Sequence, residues 1–354
     1  MKSPVPGKSP PAKARTRDKT TVTRRPTQRD IAVATGMSQT AVSLVLNRVA
    51  SSTVSAEARE RILQSAQQLG YVPNRTAQNL QSARTRTLAC IVPDITNPIY
   101  PAMVRGFQSA ADAAGYDTMI YDTDGTPERE HRALQWLSQG HVDGAIAVFF
   151  HIEPAELASL RGRVALVLVG NQAHRPSRAY DNVYVDNAAA AQAMTQALID
   201  KGHTRIAMLS CPLGPGAERQ RGFRAALKQA GLSARVIGAD EFTQAAGERA
   251  MAQALAGHFR CSAVFAANDL LAIGAIAALR TAGRSVPGDV AVAGFDDIPA
   301  AQLLHPALTT VRRCELAMGR FAAELLLARL DGPGAGRPGR GFELPFELVL
   351  RDSA

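Results

Sequence analysis

Three polar side chains stand where apolar runs give way to helical periodicity. Asp296 follows the run 290–293, Asn268 follows 263–266, and Arg219 opens a helical segment after the loop 211–218. Ligands of open α/β sheets bind beyond the carboxyl ends of the strands, so this placement directs a carboxylate, a carboxamide and a guanidinium towards one cleft. The carboxylate accepts hydrogen bonds from adjacent hydroxyls, and the guanidinium donates in a fork to oxygens. Such chemistry recognises a polar small molecule. Residue type alone leaves other roles open: Asp296 and Asn268 also suit turns or caps, and Arg219 also suits a solvated surface.

A second set lies near the N-terminus, in T-Q-R-D-I-A-V-A-T-G-M-S-Q-T-A-V-S-L-V-L-N, residues 27–47. Thr27 and Ser38 cap two short helices that meet at Thr35-Gly36-Met37, where glycine takes a positive φ without a Cβ penalty. Ile31, Val42, Val45 and Leu46 recur at helical spacing and form a small core with Ile62. Gln39, Thr40, Ser43 and Leu44 then fall on the exposed face of the second helix. A helix-turn-helix presents that face to the major groove, where Gln and Thr read base edges. The plain alternative is an αα-hairpin without a nucleic-acid role.

Catalytic patterns fail. His151-Ile152-Glu153 has no P-C-x-x-C after it, and Gly7-Lys8-Ser9 has no upstream glycine of a phosphate loop. The G-P-G-A-G run at 332–336 follows a helix, there is no G-x-S-x-G, and the seven histidines show no metal spacing. Neither an enzyme nor a bound cofactor is expected.

The elements that must hold these residues differ between the head and the body of the chain. Residues 1–26 are rich in Pro, Lys, Arg, Ser and Thr and read as a disordered basic arm. Residues 27–73 form a compact helical unit, with Ser55 capping a third helix. Residues 74–86 read as a linker. From residue 87 apolar runs at 88–92, 118–121, 144–149, 164–169, 206–209, 263–266 and 290–293 alternate with helical segments at 103–114, 188–201, 219–230 and 270–282. This alternation implies parallel sheets in α/β layers, and 342–350 reads as one returning strand.

Charge divides in the same way. The 354 residues carry 40 Lys and Arg against 31 Asp and Glu. Residues 1–86 hold 15 of the basic and 4 of the acidic residues, a basic head for a polyanion on a near-neutral body. At 46% apolar and 20% charged the chain is of ordinary globular composition, with no run long enough to span a membrane. The N-terminus lacks the apolar stretch of a secretory signal. Cys90, Cys211, Cys261 and Cys314 lie far apart and read as thiols of a reducing compartment, so a cytoplasmic location is expected.

Residues 27–354 resemble the lactose/galactose-repressor (LacI/GalR) family of bacterial transcription regulators. The resemblance is carried by Asp30-Ile31-Ala32, Ala41-Val42-Ser43, Leu46-Asn47, the segments 70–74 and 92–98, Ala267-Asn268-Asp269, Gly294-Phe295-Asp296-Asp297, the segment 308–311 and the closing segment 347–351. It implies a helix-turn-helix head, a hinge helix within 74–86, and a two-lobed periplasmic-binding-protein-like α/β core over 87–354. Gln39 and Thr40 then read bases, Ser38, Ser43 and Asn47 lie near phosphates, and the hinge from Asn74 carries Leu80 as a minor-groove wedge. Many members have Arg where this chain has Leu44, which suits a thymine methyl rather than guanine. Ala41 lacks a hydroxyl that some relatives use. Arg219, Asp296 and Asn268 belong to an effector pocket, with Asn97, Tyr100 and Asp269 beside them.

The resemblance implies a ligand-responsive repressor of double-stranded DNA, binding a pseudo-palindromic operator as a homodimer under control of a sugar. Purines and partner proteins serve as effectors for some members. The chain ends at Ala354 without a leucine-heptad extension, so a dimer is expected rather than a tetramer. The competing reading is a stand-alone sugar-binding protein with the same core.

Overall fold

The computed structural model describes residues 26–47, 54–72, 84–170, 180–257, 259–331 and 337–354. Asn74, Leu80 and all of the arm but Pro26 lie outside the described residues. The chain separates into two compact units, dividing between residues 78 and 79.

The first unit has three helices, α1 (Gln28–Thr35), α2 (Gln39–Leu46) and α3 (Ala56–Gln68). Thr27 is the N-cap of α1, as expected. Asp30 reaches back in a capping box, its carboxylate accepting from both the N–H and the hydroxyl of Thr27 at 2.7 Å. Ser38 and Ser55 cap α2 and α3 as expected, accepting from the N–H groups of Ala41 and Ala58. Gly36 ends α1 at φ 68°, a left-handed conformation that turns the chain sharply into α2. Ile31, Val42, Val45, Ile62 and Ala66 are buried together, and Leu46 packs at the margin of this core.

The second unit contains two parallel sheets. The first comprises β1 (Thr87–Val92), β2 (Asp117–Asp122), β3 (Gly144–Ala147), β4 (Ala165–Val169), β5 (Tyr180–Tyr184) and β11 (Gly341–Glu343), in the order β11-β5-β4-β3-β1-β2. The second comprises β6 (Ile206–Ser210), β7 (Arg235–Gly238), β8 (Ala263–Ala266) and β9 (Ala291–Ala293), in the order β7-β6-β8-β9. Helices cover both faces. In β1, Leu88, Cys90 and Val92 face one hydrophobic cluster while Ala89 and Ile91 face another, so the strand is apolar without alternation.

Three strands absent from the sequence expectation carry polar residues. In β5, Asp181 is buried because Arg329 Nε and the Arg340 N–H donate to its carboxylate at 2.6 and 2.7 Å. β7 is an edge strand with one buried residue, and β10 (Thr310–Arg313) ends in two arginines. The expected return strand 342–350 is in fact two. β11 extends the first sheet, and β12 (Phe346–Val349) pairs antiparallel with β10, with Leu344-Pro345 between them.

The lobes are joined by chain crossings. After β10, helix α11 (Glu315–Asp331) packs against α4 (Ile99–Ala113) of the first lobe. The two approach so closely that a Cβ on Gly319 would lie 2.0 Å from the Met103 carbonyl oxygen. At the other end, Asp297 accepts from Arg312 Nε at 2.8 Å and Arg351 Nη2 at 2.6 Å, fastening the β10–β12 ribbon to the second lobe.

Candidate functional site

On α2, Ser38, Gln39, Thr40 and Asn47 are exposed, and Ser43 and Leu44 are half-buried at the edge of the same face. The helix is oriented by Val42 and Val45, which are buried in the three-helix core. Arg61 of α3 donates to the Thr35 carbonyl at 2.8 Å and fixes α3 to the end of α1. Ser38 is committed to its cap, and Asn47 Nδ2 donates to Ser43 Oγ at 3.2 Å. Gln39 and Thr40 make no side-chain hydrogen bond to any described residue, so their polar atoms face solvent.

In the second unit the carboxyl ends of both sheets open on one cavity of about 470 Å³. Parallel strands end on the same side, so each following loop delivers its residues to this edge. Asn97 and Tyr100 come after β1, Phe150 after β3, Phe242 after β7, Asn268 after β8 and Asp296 after β9. Arg219 enters from the first turn of α8 (Gly216–Gln229).

Arg219 is 2% exposed and fully engaged. Its Nε donates to Asn187 Oδ1 at 2.9 Å, Nη1 to the Ala267 carbonyl and Nη2 to Asp296 Oδ1 at 3.5 Å. The guanidinium lies 3.6 Å from the centroid of the Phe295 ring. Burial lowers its pKa to about 10, opposed by the Asp296 charge, and the group stays cationic at neutral pH. Asp296, held at φ 116°, places Oδ1 also 3.4 Å from Arg313 Nη2. Arg313 Nη2 in turn lies 2.8 Å from Glu315 Oε1. A chain of alternating charges therefore runs from α8 through the Asp296 loop and the end of β10 to the start of α11. Burial raises the Tyr100 phenol pKa, keeping it protonated within the field of the same four groups.

The sequence-derived candidates divide. Arg219, Asp296, Asn268, Asn97 and Tyr100 line the cavity; Asp269 does not. Asp269 accepts from Thr310 Oγ1 at 2.6 Å and from the Ile298 N–H at 2.9 Å, behind the cavity wall, where it locks the loop carrying Asp296. Burial first, and the Asp296 charge second, push its pKa up to about 8. Asn268 lines the cavity and is also a helix cap. Its Oδ1 accepts from the Leu271 N–H at 2.9 Å as a helix cap, and its Nδ2 donates to the Phe242 carbonyl at 3.2 Å. Asn97 Oδ1 accepts from the Ile99 N–H at 3.3 Å.

Sequence reasoning missed Arg313, Glu315, Phe150 and Phe242. The two arginines ending β10 resemble a solvated edge until the crossover buries Arg313. Phe150 extends an apolar run and reads as core. It stands instead with its ring centroid 6.4 Å from that of Phe242, one from each lobe. Its mounting is a buried carboxylate: Glu130 accepts from the N–H groups of Phe150 and His151 at 2.8 Å each. His151 itself contacts the Gly125 carbonyl through Nε2, a structural role for the motif that mimicked a catalytic one.

Comparison with known proteins agrees with both units. Residues 27–74 match "Bacterial regulatory proteins, lacI family", and residues 195–354 match "Periplasmic binding protein-like domain". The chain is 35% identical over 341 residues to the HTH-type transcriptional regulator CelR of Thermobifida fusca, covering 93% of this chain and 98% of that protein. It is 34% identical to the ribose operon repressor of Escherichia coli K12, covering 87% of this chain and 94% of that one. Among solved structures, a transcriptional regulator CelR–cellobiose complex superposes with a TM-score of 0.68 at 32% identity, over 93% of this chain and all of that one.

Proposed function

We propose, from the premise that this chain belongs to the lacI family of bacterial regulatory proteins, that it is a sugar-responsive repressor acting as a dimer on a pseudo-palindromic operator. As a member of that family it is a transcription regulator and not an enzyme. The observation that carries the effector reading is the cavity itself. Asp296, with an oxygen shared by two guanidiniums, offers acceptor capacity for hydroxyls, and Asn97, Asn268 and Tyr100 add polar groups around it. Similarity to a regulator solved with cellobiose and to a ribose operon repressor supports a sugar as the ligand. Gln39 and Thr40 read bases, with Leu44 against a thymine methyl, and Ser38, Ser43 and Asn47 stand near phosphates. Asn74 and Leu80 contribute from the hinge.

Dimerisation is supported by apolar surface that one copy leaves open. Met119 and Ile120 on the edge strand β2 are 44% and 42% exposed, and Leu303 is 81% exposed. A two-fold dimer presents two recognition helices to two half-sites one helical turn apart.

The test is selection of bound duplexes from a random pool, followed by titration of the selected site with and without sugars. An inverted repeat is expected, with operator affinity changed by the sugar that binds. By linkage, that operator changes the sugar's affinity by the same factor. Binding without any sequence selection would remove the regulator reading and leave a sugar-binding protein.

A further inference from the structure

Asp296 reaches the cavity from a backbone that residues with a Cβ seldom adopt. Asp296 and Asp297 have φ of 116° and 53°, the one consecutive pair of non-glycine residues at positive φ among the described residues. Such a conformation costs free energy and persists only where the surroundings over-determine it. Three successive N–H groups through this bend each meet a different acceptor. The Asp296 N–H donates to the Val311 carbonyl at 2.8 Å, the Asp297 N–H to Thr310 Oγ1 at 3.4 Å and the Ile298 N–H to Asp269 Oδ2 at 2.9 Å. Asp269 also grips the near side, its own N–H donating to the Phe295 carbonyl at 2.8 Å. Thr310 Oγ1 closes the set by donating to Asp269 Oδ1 at 2.6 Å. Only a hydroxyl at position 310 serves both neighbours, donating to one while accepting from the other. Protonation of Asp269 leaves the grip in place, because a carboxyl O–H on Oδ1 donates to Thr310 Oγ1 while Oδ2 still accepts. Thr310 and Asp269 are fully buried, and neither lines the cavity.

We propose, resting on the sugar-effector reading above, that Thr310 and Asp269 are positioning residues for the effector: together they hold the bend 296–298 in its strained form and so keep Asp296 Oδ1 aimed between Arg219 and Arg313. Neither touches the sugar. Their contribution is made before the sugar arrives, since a bend already set spares the cost of ordering it on binding. Without the hydroxyl the Asp297 N–H loses its acceptor, and the bend relaxes towards a backbone that aims Asp296 elsewhere.

The full chain is titrated calorimetrically with D-ribose, D-glucose, D-galactose and cellobiose, and the sugar that binds is carried through the variants. Thr310→Val keeps the shape and removes the hydroxyl, whereas Thr310→Ser keeps the hydroxyl. Affinity is expected to fall about tenfold in Thr310→Val and to stay within about twofold of wild type in Thr310→Ser. Asp269→Ala, which removes the acceptor of the Ile298 N–H, should lose at least as much. In an Asp296→Asn background both losses should vanish, because the residue being aimed no longer carries the recognising carboxylate. Cooperative thermal unfolding reports that each variant is folded, and Thr310→Ala removes the hydroxyl in place of Thr310→Val if valine distorts the strand. Unchanged affinity in the folded variant without the hydroxyl overturns the proposal. So does a loss of the same size with and without the Asp296 carboxylate, which would leave Thr310 and Asp269 a role in lobe stability alone. Failure of the wild-type chain to bind any of the four sugars overturns the effector reading and the positioning role with it, and is visible before a variant is made.

Discussion

Asp296 illustrates how much one side chain is asked to do. Its Oδ1 lies between Arg219 and Arg313, inside a cleft where charge is poorly solvated, and its backbone is held at a positive φ. Asp296→Asn preserves the outline but turns an acceptor into a donor facing hydroxyls and guanidiniums. Hydrogen bonds to charged groups contribute about 1.5–3 kcal/mol, so sugar affinity should fall about ten- to a hundredfold. The thermal midpoint should fall too, because two buried cations lose a counter-charge. Calorimetry and operator titration on one preparation check this: operator affinity without sugar should persist, and intact sugar binding would return Asp296 to a turn role. At the other site, Gln39→Ala should cost about 1–3 kcal/mol on the selected operator and relax discrimination at one base pair. A uniform loss across unrelated duplexes would show that Gln39 only positions the helix.

Among the helices, two glycines make opposite kinds of demand. Gly36 has open space where a Cβ would stand, so its requirement is conformational: φ 68° between α1 and α2. Gly36→Ala should destabilise the three-helix unit by about 1–2 kcal/mol, the cost of a left-handed residue with a Cβ. Gly319 lies within α11, and a Cβ there would meet the backbone of α4 at 2.0 Å. Gly319→Ala must push these helices away from each other, and about 3 kcal/mol or more is expected from the core it disturbs. Urea unfolding of the full chain separates the cases. Gly36→Ala should weaken operator binding while sugar binding holds, and Gly319→Ala should lower stability of the sugar-binding unit. A wild-type denaturation midpoint in Gly319→Ala would contradict the close crossing.

For the whole molecule, the uneven charge is the property with a measurable consequence. Residues 1–26 hold eight Lys and Arg against Asp18 alone, immediately before the helix-turn-helix. Each phosphate that these cations neutralise steepens the dependence of log affinity on log salt by about 0.9. Deleting residues 1–26 keeps Thr27, whose N–H donates to Asp30, and should weaken binding to unrelated duplex DNA while flattening that dependence. An identical slope for the truncated chain would remove the arm from DNA binding.

Local rules account for everything that was legible in the residues alone. Caps, a glycine turn and apolar spacing specify the first three helices, because helix signals act within a few residues. Apolar runs reveal β1, β3, β4, β6 and β8, and the rule that ligands gather at strand ends brings Arg219, Asn268 and Asp296 to one cleft. Packing settled what depends on partners distant in sequence. Asp181 is buried in β5 only because Arg329 and Arg340 reach it from across the fold. Asp269 follows Asn268 directly, yet Thr310 and Ile298 draw its carboxylate behind the wall that Asn268 lines. Arg313 and Glu315 belong to the cavity because the chain crosses from the second lobe to the first there. Burial of a charge is a property of the surroundings it meets, and those surroundings exist only once the distant segments have come together.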